Sequence, residues 1–371
     1  MENREWVNIK LGEALTFQRG HDLPKSQMIE GIYQVAGSNG AIGFHNVYTT
    51  KGPGITIGRS GNIGTPHYYK DNFWAHNTVL YVKDFKGNSE LFLYYFLKNI
   101  DFSSFNTGSA VPSLNRNHIH EYEIQLPPLP EQKAIASVLS SLDDKIDLLH
   151  QQNQTLEALA ETLFRQWFIE RCPEPVEGEA KEDWEERPLS SIANFLNGLA
   201  CQKFPPKDSI NRLPVLKIKD LTSGISENSD WATTDVKPEY IIRNGDVIFA
   251  WSASLMVKIW NGEDCILNQH LFKVTSEEFP KWFYYFWCKQ HLREFISIAQ
   301  SHATTMGHIK RSDLDEAMVL IPEEKEIEQM TIQMNPILEK IQLNNNQINS
   351  LSKLRDTLLP KLMSGEVRVK V

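Results

Sequence analysis

The chain has 371 residues, too many for one ordinary hydrophobic core, so its length indicates two domains or slightly more. Hydrophobic residues make up 41% of it and charged residues 23%, a composition that excludes wholesale disorder and the fibrous classes. The net charge of −9, from 38 basic and 47 acidic residues, argues against a uniformly basic coat for nucleic acid.

The sequence shows no sign of membrane insertion or export. No apolar run reaches the ~18 residues that a bilayer-spanning helix needs, and the polar N-terminus is unlike a signal peptide. The four cysteines include no CxxC pair, which argues against a zinc site and against a disulfide framework. These features predict a protein of a reducing cytoplasm.

Residues 1–128 contain short apolar runs broken by Gly, Asn and Pro, a pattern typical of short strands. Gly54–Gly58 and Thr78–Val82 are two such runs, and the aromatic-rich run Leu91–Leu97 predicts a short helix. The segment holds 11 basic and 11 acidic residues. We predict a first α+β domain over 1–128 that is electrically neutral overall.

Residues 129–170 have the period of a long helix. Pro127 and Pro128 end the preceding strand, and Glu131 suits the positive end of the helix. Its apolar residues alternate in steps of four and three, the pattern of a coiled coil. The predicted apolar seam consists of Ile135, Leu139, Leu142, Ile146, Leu149, Leu156 and Leu163. Residues 129–183 together hold 12 acidic and 5 basic residues, so most of the chain's excess of acidic over basic residues lies here.

The second half of the chain repeats the first. Trp6, Leu11, Phe17 and Gly20 recur 178 residues later as Trp184, Leu189, Phe195 and Gly198. Asn77 with Leu80 recurs 191 residues later as Asn268 with Leu271, and Arg116 recurs as Arg311. The repeat predicts an acidic linker over 171–183, a second domain over 184–322, and a second helix with a C-terminal tail over 323–371.

The second copy has the same predicted elements as the first. Asp246–Ala250 predicts a strand, and Trp282–Trp287 predicts a short helix. The second seam consists of Met330, Ile337, Ile341, Ile348, Leu351 and Leu358. Polar Asn153 and Asn344 interrupt the two seams and would set the register of a helix pair at some cost in stability.

These patterns define an α+β fold class. We predict two similar α/β recognition domains separated by a long antiparallel two-helix coiled-coil spacer, an internal repeat with pseudo-two-fold symmetry. The alternative is that each helix packs on its own domain. A helix of ~38 residues is ~57 Å long, more than one domain covers, which favours pairing of the helices.

Sequence motifs for catalysis are missing. There is no GxxxxGK[ST] loop, no HExxH pair and no Asn-Pro-Pro-Tyr methyltransferase signature. Glu131-Gln132-Lys133 is only half of a nuclease carboxylate–lysine motif and lies in the first turn of a helix. We therefore expect neither catalysis nor a metal site in this chain.

Two similar but non-identical domains on a rigid spacer suit an extended partner with a regular repeat, such as duplex DNA. In its order of domain, helix, domain, helix the chain resembles the specificity (S) subunit of type I restriction–modification systems. The motifs that carry this resemblance are Gly108–Arg116, Ala303–Arg311, the helix opening Pro127–Gln132 and the ending Leu354–Glu366.

The resemblance implies that 1–128 and 184–322 are target-recognition domains and that the helices are the central repeat regions. It implies an asymmetric bipartite site on double-stranded DNA and docking of two modification subunits similar to N6-adenine methyltransferases. S-adenosylmethionine would bind those partners, and ATP and Mg²⁺ would serve restriction subunits, with no cofactor in this chain. The setting would be the cytoplasm of a bacterium or archaeon. Because Met330 and Met334 replace Ile135 and Leu139, the second helix is expected to pack more loosely near its start.

Candidate DNA-binding residues follow from the chemistry of base edges, since Arg and Lys suit guanine and Asn and Gln suit adenine. The candidates in the first domain are Arg19, Lys25, Asn39, Arg59, Asn62, His67 and Arg116. Those in the second are Lys203, Lys217, Lys219, Trp251, His302, Lys310 and Arg311. Arg116 and Arg311 form the best pair, although a structural salt bridge is an equal alternative. Tyr94, Tyr95, Tyr284 and Tyr285 are expected in the core.

Two other functions stay open on the sequence. A two-domain scaffold for a protein or glycan would have no salt-dependent affinity for DNA. An enzyme with an unrecognised active site would turn over substrate as an isolated chain.

Overall fold

The computed structural model describes residues 5–106, 112–170, 184–301 and 307–370. The predicted linker 171–183 and parts of the two motifs that precede the helices lie outside these ranges. The chain forms two compact units, Met1–Asp147 with Asn349–Val371, and Leu148–Ile348. This division cuts both long helices, so it does not correspond to the predicted segment boundaries, which stay predictions.

The first repeat consists of nine strands and four α-helices among the residues described. In chain order they are β1 (Val7–Lys10), α1 (Leu11–Ala14), β2 (Thr16–Arg19), β3 (Tyr33–Gly37), β4 (Gly40–His45), β5 (Gly54–Gly58), β6 (Pro66–Tyr69), β7 (Phe73–Ala75), β8 (Val79–Asp84), α2 (Glu90–Lys98), α3 (Arg116–His120), β9 (Glu123–Leu126) and α4 (Leu129–Phe168). The prediction of a short helix at Leu91–Leu97 is confirmed by α2, whose N-cap Ser89 accepts a hydrogen bond from the Phe92 backbone.

The second repeat follows the same order with one added helix and one added strand. Its elements are β10 (Glu185–Pro188), α5 (Leu189–Ile192), β11 (Asn194–Asn197), β12 (Arg212–Leu216), α6 (Asp220–Ser223), β13 (Trp231–Thr233), β14 (Ile241–Ile242), β15 (Val247–Ala250), β16 (Met256–Ile259), β17 (Cys265–Leu267), β18 (Leu271–Thr275), α7 (Lys281–Ser301), α8 (Arg311–Glu316), β19 (Met318–Ile321) and α9 (Glu324–Met363). Short 3₁₀ turns lie at Lys25–Gln27, Phe102–Phe105, Cys201–Lys203 and Pro238–Tyr240.

The sheets of the two repeats correspond strand by strand, apart from β14, which only the second repeat has. The first repeat has a four-stranded sheet in the order β2-β8-β5-β6, a three-stranded sheet β4-β3-β7 and the pair β1-β9. The second has β11-β18-β15-β16, β13-β12-β17-β14 and β10-β19. In both, a parallel pairing joins the second sheet, β3 with β7 and β12 with β17. The predicted α+β class and internal repeat are thus confirmed.

The strand register corrects the predicted alignment of the repeats by one residue. Phe17 pairs with Val82, and its counterpart Phe195 pairs with Val274, so these strands are 192 residues apart rather than 191. The counterpart of Asn268 is therefore His76 and not Asn77. The recurrence of Asn and Leu three residues apart suggested a spacing of 191 residues. Residue identity alone does not reveal a slip of one residue, whereas backbone pairing does.

The helix predicted at Trp282–Trp287 is longer than expected. It extends as α7 from Lys281 to Ser301, because no Gly or Pro interrupts residues 288–301. In the first repeat the corresponding helix ends at Lys98. The prediction of a short helix in the second domain was wrong.

In the first unit the sheet and α2 pack on segments of both long helices. Phe17, Ile57 and Phe92 lie in one cluster with Ile135 and Leu139 of α4. Leu362 and Met363 of α9 belong to the same cluster. Burial of this continuous apolar surface stabilises the domain on the helices at roughly 25 cal/mol per Å².

The second unit has a more aromatic core. Trp282, Phe283 and Trp287 of α7 pack with Phe164 and Phe168 of α4 in one cluster. Met330 and Met334 of α9 join it, and both are buried, as Ile135 and Leu139 are in the first unit. The predicted loosening at these methionines is therefore not visible in their burial.

The long helices run antiparallel within each unit. In the first, Asp143 accepts a hydrogen bond from Arg355 at 2.7 Å, and Glu131 accepts from Arg368. In the second, Asn153 Oδ1 accepts from Asn344 Nδ2 at 2.9 Å. The residue numbers rise on one helix as they fall on the other. All thirteen predicted seam residues are buried or half-buried: Ile135, Leu139, Leu142, Ile146, Leu149, Leu156, Leu163, Met330, Ile337, Ile341, Ile348, Leu351 and Leu358.

Glu131, half of the weak nuclease motif, has a structural role. Its carboxylate is buried, accepts two hydrogen bonds from Arg368 and a third from Trp6 Nε1 at 3.2 Å. In the second repeat Trp184 Nε1 donates to Glu326 at 2.8 Å in the same way. Each domain is thus tied at its first residues to the first turn of the helix that follows it.

The contribution of the asparagine pair in the helix seam to the stability of the protein can be tested by mutation. Asn153 also donates to Asn345 Oδ1 at 2.8 Å. Asn153→Ala leaves the buried Asn344 amide unpaired, so we expect the free energy of unfolding in urea to fall by about 1–3 kcal/mol. Asn153→Leu combined with Asn344→Leu should recover most of that loss, because both partners are then apolar. The exposed Gln152→Ala is the control, and equal destabilisation by it would contradict a specific role of the pair.

Candidate nucleic-acid interface

Four segments of the first domain meet at one end of its four-stranded sheet: the residues after β2, those after β5, those before β8 and those before α3. The Arg59 amide donates to Thr78 O at 2.8 Å, and Arg59 O accepts from the Leu114 amide at 2.9 Å. Gly20 joins them, since its amide donates to Val79 O at 3.1 Å. A Cβ at Gly20 would lie 2.1 Å from His76 O, so only glycine allows this approach. The loops therefore present residues distant in sequence at one edge, which we call the first loop edge.

Two of the predicted arginines line an open groove at the first loop edge. The groove is lined by Gln18, Arg19, Gly20, His21, Asp22, Thr49, Trp74 and Arg116. Arg19 and Arg116 are exposed, and Arg19 lies 3.7 Å from Asp22 in a solvent-exposed ion pair. Such a pair contributes little, so the Arg19 guanidinium can change partner at small cost.

Arg59 does not line this groove but is linked to it through Asn77. It is half-buried, and its guanidinium donates to Asn77 O at 3.4 Å. Asn77 in turn donates to Asp22. The structure thus brings Arg19, Arg59 and Arg116 together, where a cluster of guanidinium groups can donate to phosphate oxygens or to guanine edges.

His120 holds the two sides of the groove in place. Its Nε2 accepts a hydrogen bond from the Phe17 amide at 2.9 Å, which joins α3, the helix of Arg116, to β2, the strand of Arg19. Nε2 can accept only in the neutral ring. Burial, followed by the nearby charges of Arg116 and Lys86, lowers the pKa of His120.

The remaining candidates of the first domain do not line this groove. Asn39 and Asn62 are exposed on neighbouring turns, since a Cβ at Gly61 would lie 3.9 Å from the Ser38 hydroxyl. Lys25 is exposed on a 3₁₀ turn. His67 was expected to contact DNA, but its Nε2 is buried, and burial lowers its pKa. Because Nε2 is closed off from solvent, only the rest of the half-buried His67 ring is open to a ligand, and its contact with DNA stays a prediction.

The second domain has an equivalent second loop edge with different chemistry. Trp251 O accepts from the Ile309 amide at 3.1 Å, as Arg59 O accepts from Leu114. The indole of Trp251 stacks on Phe272 with ring centroids 5.6 Å apart. Its Nε1 donates to Asn197 Oδ1 at 3.2 Å. The indole of Trp251 thus stands where the first domain has the Arg59 guanidinium, and the amide of Asn197 stands where it has that of Arg19.

The other candidates of the second domain are mixed. Lys203 and Lys219 are exposed. Lys217 is half-buried and forms an ion pair with Asp230 at 2.5 Å, so its charge is already partnered. Lys310 is exposed, and its backbone amide donates to Asp313 at 2.7 Å. His302 lies outside the described residues.

Arg116 and Arg311 occupy equivalent positions as the first residues of α3 and α8. Both are exposed, and neither guanidinium forms an ion pair with a carboxylate of the part of the chain described. Arg311 makes only a long hydrogen bond to Phe195 O at 3.5 Å. The salt-bridge alternative therefore has no support. Tyr95, Tyr284 and Tyr285 are buried in the core as expected, while Tyr94 is half-buried.

The sequence alone missed several residues at these edges. His21, Asp22 and Trp74 line the first groove, and Asn197 and His270 lie beside Trp251. Asn197 directly precedes the recurrent Gly198, as Arg19 precedes Gly20. That place in the repeat was the signal that could have identified Asn197. His21 and Trp74 had no such signal, because only the fold brings them together.

The described residues hold neither a metal-binding cluster nor a membrane-spanning helix. Among residues 5–106, 112–170, 184–301 and 307–370, no group of three His, Cys, Asp or Glu side chains is arranged to hold a metal ion. None of the helices in those ranges combines the length and the apolar character required to cross a bilayer.

Comparison with known proteins identifies the class. The family model of the type I restriction modification DNA specificity domain matches residues 3–158 and 181–353. The type I restriction enzyme MjaIX specificity subunit of Methanocaldococcus jannaschii is 29% identical over 302 residues, covering 75% of this chain and 69% of that one. The MjaVIII specificity subunit of the same organism is 22% identical over 405 residues, covering 99% and 94%.

The S subunit of a type I restriction–modification system from M. genitalium has a similar fold, with a TM-score of 0.65 at 16% identity over 98% of this chain and 97% of that one. The chain belongs to the family of type I restriction–modification DNA specificity domains. It is a specificity subunit, a non-catalytic DNA-recognition component, as the resemblance implied.

The role of His120 leads to a pH prediction. Because the folded pKa lies below the ordinary value of 6.5, the unfolded chain binds more protons, and stability is lost as the pH falls from 6.5 towards the folded pKa. We expect the urea midpoint to drop between pH 7.5 and pH 5.5 in the wild type and to drop less in His120→Gln, whose amide oxygen can still accept. The neighbouring, exposed His118→Gln is the control. An equal drop in His120→Gln and wild type would contradict this role.

Proposed function

We propose that this chain reads an asymmetric, bipartite site on double-stranded DNA, one half-site with each domain. The observation that carries the proposal is the pair of loop edges, which share one backbone framework but differ in side chains. Arg19, Arg59 and Arg116 lie at the first edge, and Asn197, Trp251 and Arg311 at the second. Two domains that present different hydrogen-bond donors and acceptors to DNA require two different half-sites.

The net charge of −9 is compatible with this function. Phosphate contacts supply most of the affinity for DNA, whereas base contacts supply the sequence preference. We propose that the phosphate contacts are shared with two modification subunits of the methyltransferase class, one on each repeat. The near-equivalence of the repeats supports this, since two copies of one partner need two similar surfaces.

The chemistry of the complex then belongs to the partners. Modification subunits would bind S-adenosylmethionine and methylate adenine within each half-site. Restriction subunits would use ATP and Mg²⁺. This chain would select the DNA sequence and hold the partners on it.

The experiment that tests this function is a map of N6-methyladenine by long-read sequencing. The chain is expressed with its modification subunit in a host free of adenine methylation. We expect one asymmetric motif split by a gap of constant length, and no motif when this chain is omitted. An assembled complex that binds S-adenosylmethionine but methylates no motif would favour the protein or glycan scaffold instead.

The independence of the two domains gives a second test. Replacing residues 1–128 by the corresponding domain of another family member should change one half-site and leave the other intact, because the second loop edge is built entirely within 184–322. The methylome of the hybrid complex measures this. A hybrid in which both half-sites change would contradict modular reading.

A further inference from the structure

The strand registers identify which positions of the two domains are equivalent. Arg19 pairs with Leu80 at the end of β2, and Asn197 pairs with Phe272 at the end of β11. Each directly precedes a glycine that approaches the next loop, Gly20 or Gly198, where a Cβ would lie 2.1 or 2.2 Å from a backbone oxygen. We call the place of Arg19 and Asn197 the reading position. Its backbone is the same in both domains, and only its side chain differs.

The residue beside the reading position differs as well. Arg59 follows β5, and Trp251 follows β15 at the equivalent place. The alternation of strand side chains puts Trp251 on the sheet face that carries Phe249 and Phe272. Stacking on Phe272 holds the indole there, and its Nε1 reaches Asn197 Oδ1 at 3.2 Å.

This hydrogen bond orients the Asn197 amide. Because Trp251 Nε1 is only a donor, the atom that it meets must be the amide oxygen of Asn197. The NH₂ group of Asn197 is then the end that can donate, and the oxygen keeps a second lone pair. Asn197 is exposed, so both groups can meet a ligand from solvent. A donor beside an acceptor on one planar group matches N7 and N6 of adenine.

The charges near the two reading positions differ as well. Arg19 has a carboxylate neighbour, Asp22, at 3.7 Å, while the residue that corresponds to Asp22 is Ala200. The Arg19 guanidinium therefore lies beside an anionic group, whereas the place that corresponds to Asp22 near the neutral Asn197 amide carries no charge. The guanidinium of Arg19 offers two parallel donors, which match O6 and N7 of guanine.

We propose that Asn197 and Arg19 are specificity-determining residues at equivalent positions, Asn197 reading an adenine in the second half-site and Arg19 a guanine in the first, with Trp251 as the residue that positions Asn197. This inference rests on the proposed function and adds the base class that each domain reads. It also explains the asymmetry, because a single backbone position carries different donors in the two domains.

Asn197→Asp is the sharpest test, because aspartate has nearly the same shape and can still accept from Trp251. It loses the NH₂ donor to N7 and can only accept, which suits the amino group of cytosine. In the methylome of the complete complex we expect about tenfold or greater loss of preference for adenine at one position of the second half-site. The preference at that position should move towards cytosine, while the first half-site stays unchanged.

Two further variants complete the test. Trp251→Phe retains a ring over Phe272 but removes the donor, so it should weaken the preference at the same position without moving it to cytosine. Arg19→Ala should relax one guanine of the first half-site only. The matched control is Asn194→Ala, at the other, exposed end of β11, which should leave the motif unchanged.

The possible outcomes separate the two proposals. A wild-type complex without any motif contradicts the proposed function itself. A wild-type bipartite motif that Asn197→Asp leaves unaltered, or alters in both half-sites, overturns the reading position alone. If Asn197→Asp abolishes methylation, the test is the binding of the assembled complex to four DNAs that carry each of the four base pairs at that position. An equal loss of binding to all four DNAs would overturn the proposal. Loss of the preference for adenine alone would support it.

Discussion

Burial of one apolar face of each 40-residue helix is the constraint on which the rest of the structure depends. Both helices are polar on their other faces, and so long a helix gains most of its stability from packing. In each unit the recognition domain supplies part of that packing, through α2 in the first and the aromatic face of α7 in the second. The domains are therefore built on the helices, and the Trp6–Glu131 and Trp184–Glu326 hydrogen bonds tie each one to the turn where its helix begins.

A common backbone with variable side chains is the second feature of this protein. The close approach of Gly20 and Gly198 to neighbouring loops sets the same geometry at both loop edges. Backbone hydrogen bonds hold those edges, so the side chains that they present can differ without disturbing the fold. Arg59 and Trp251 occupy one such equivalent place, where the first domain presents a guanidinium cation and the second a neutral indole. A protein built in this way can change what it recognises while it keeps the surfaces on which a repeated partner would depend.

Much of the architecture could be predicted from the sequence because it rests on local patterns. Steps of four and three residues predicted the helices that the structure places at Leu129–Phe168 and Glu324–Met363. The repeat predicted two domains of one fold, and their short apolar runs broken by Gly, Asn and Pro predicted short strands. The predicted asparagine pair does meet across the helix seam, since a polar residue in an apolar seam has few partners other than its like.

The sequence by itself therefore determined the helix period, the internal repeat and the family, because each is visible in the order of residue types along the chain and needs no knowledge of which residues are in contact. Only the tertiary structure decided the register of 192 rather than 191 residues, the burial of His67 Nε2 and the contact of Trp251 with Asn197. Each of these depends on residues far apart in sequence whose distance is set by strand pairing. A slip of one residue moves every side chain to the opposite face of a sheet, and no local pattern records it.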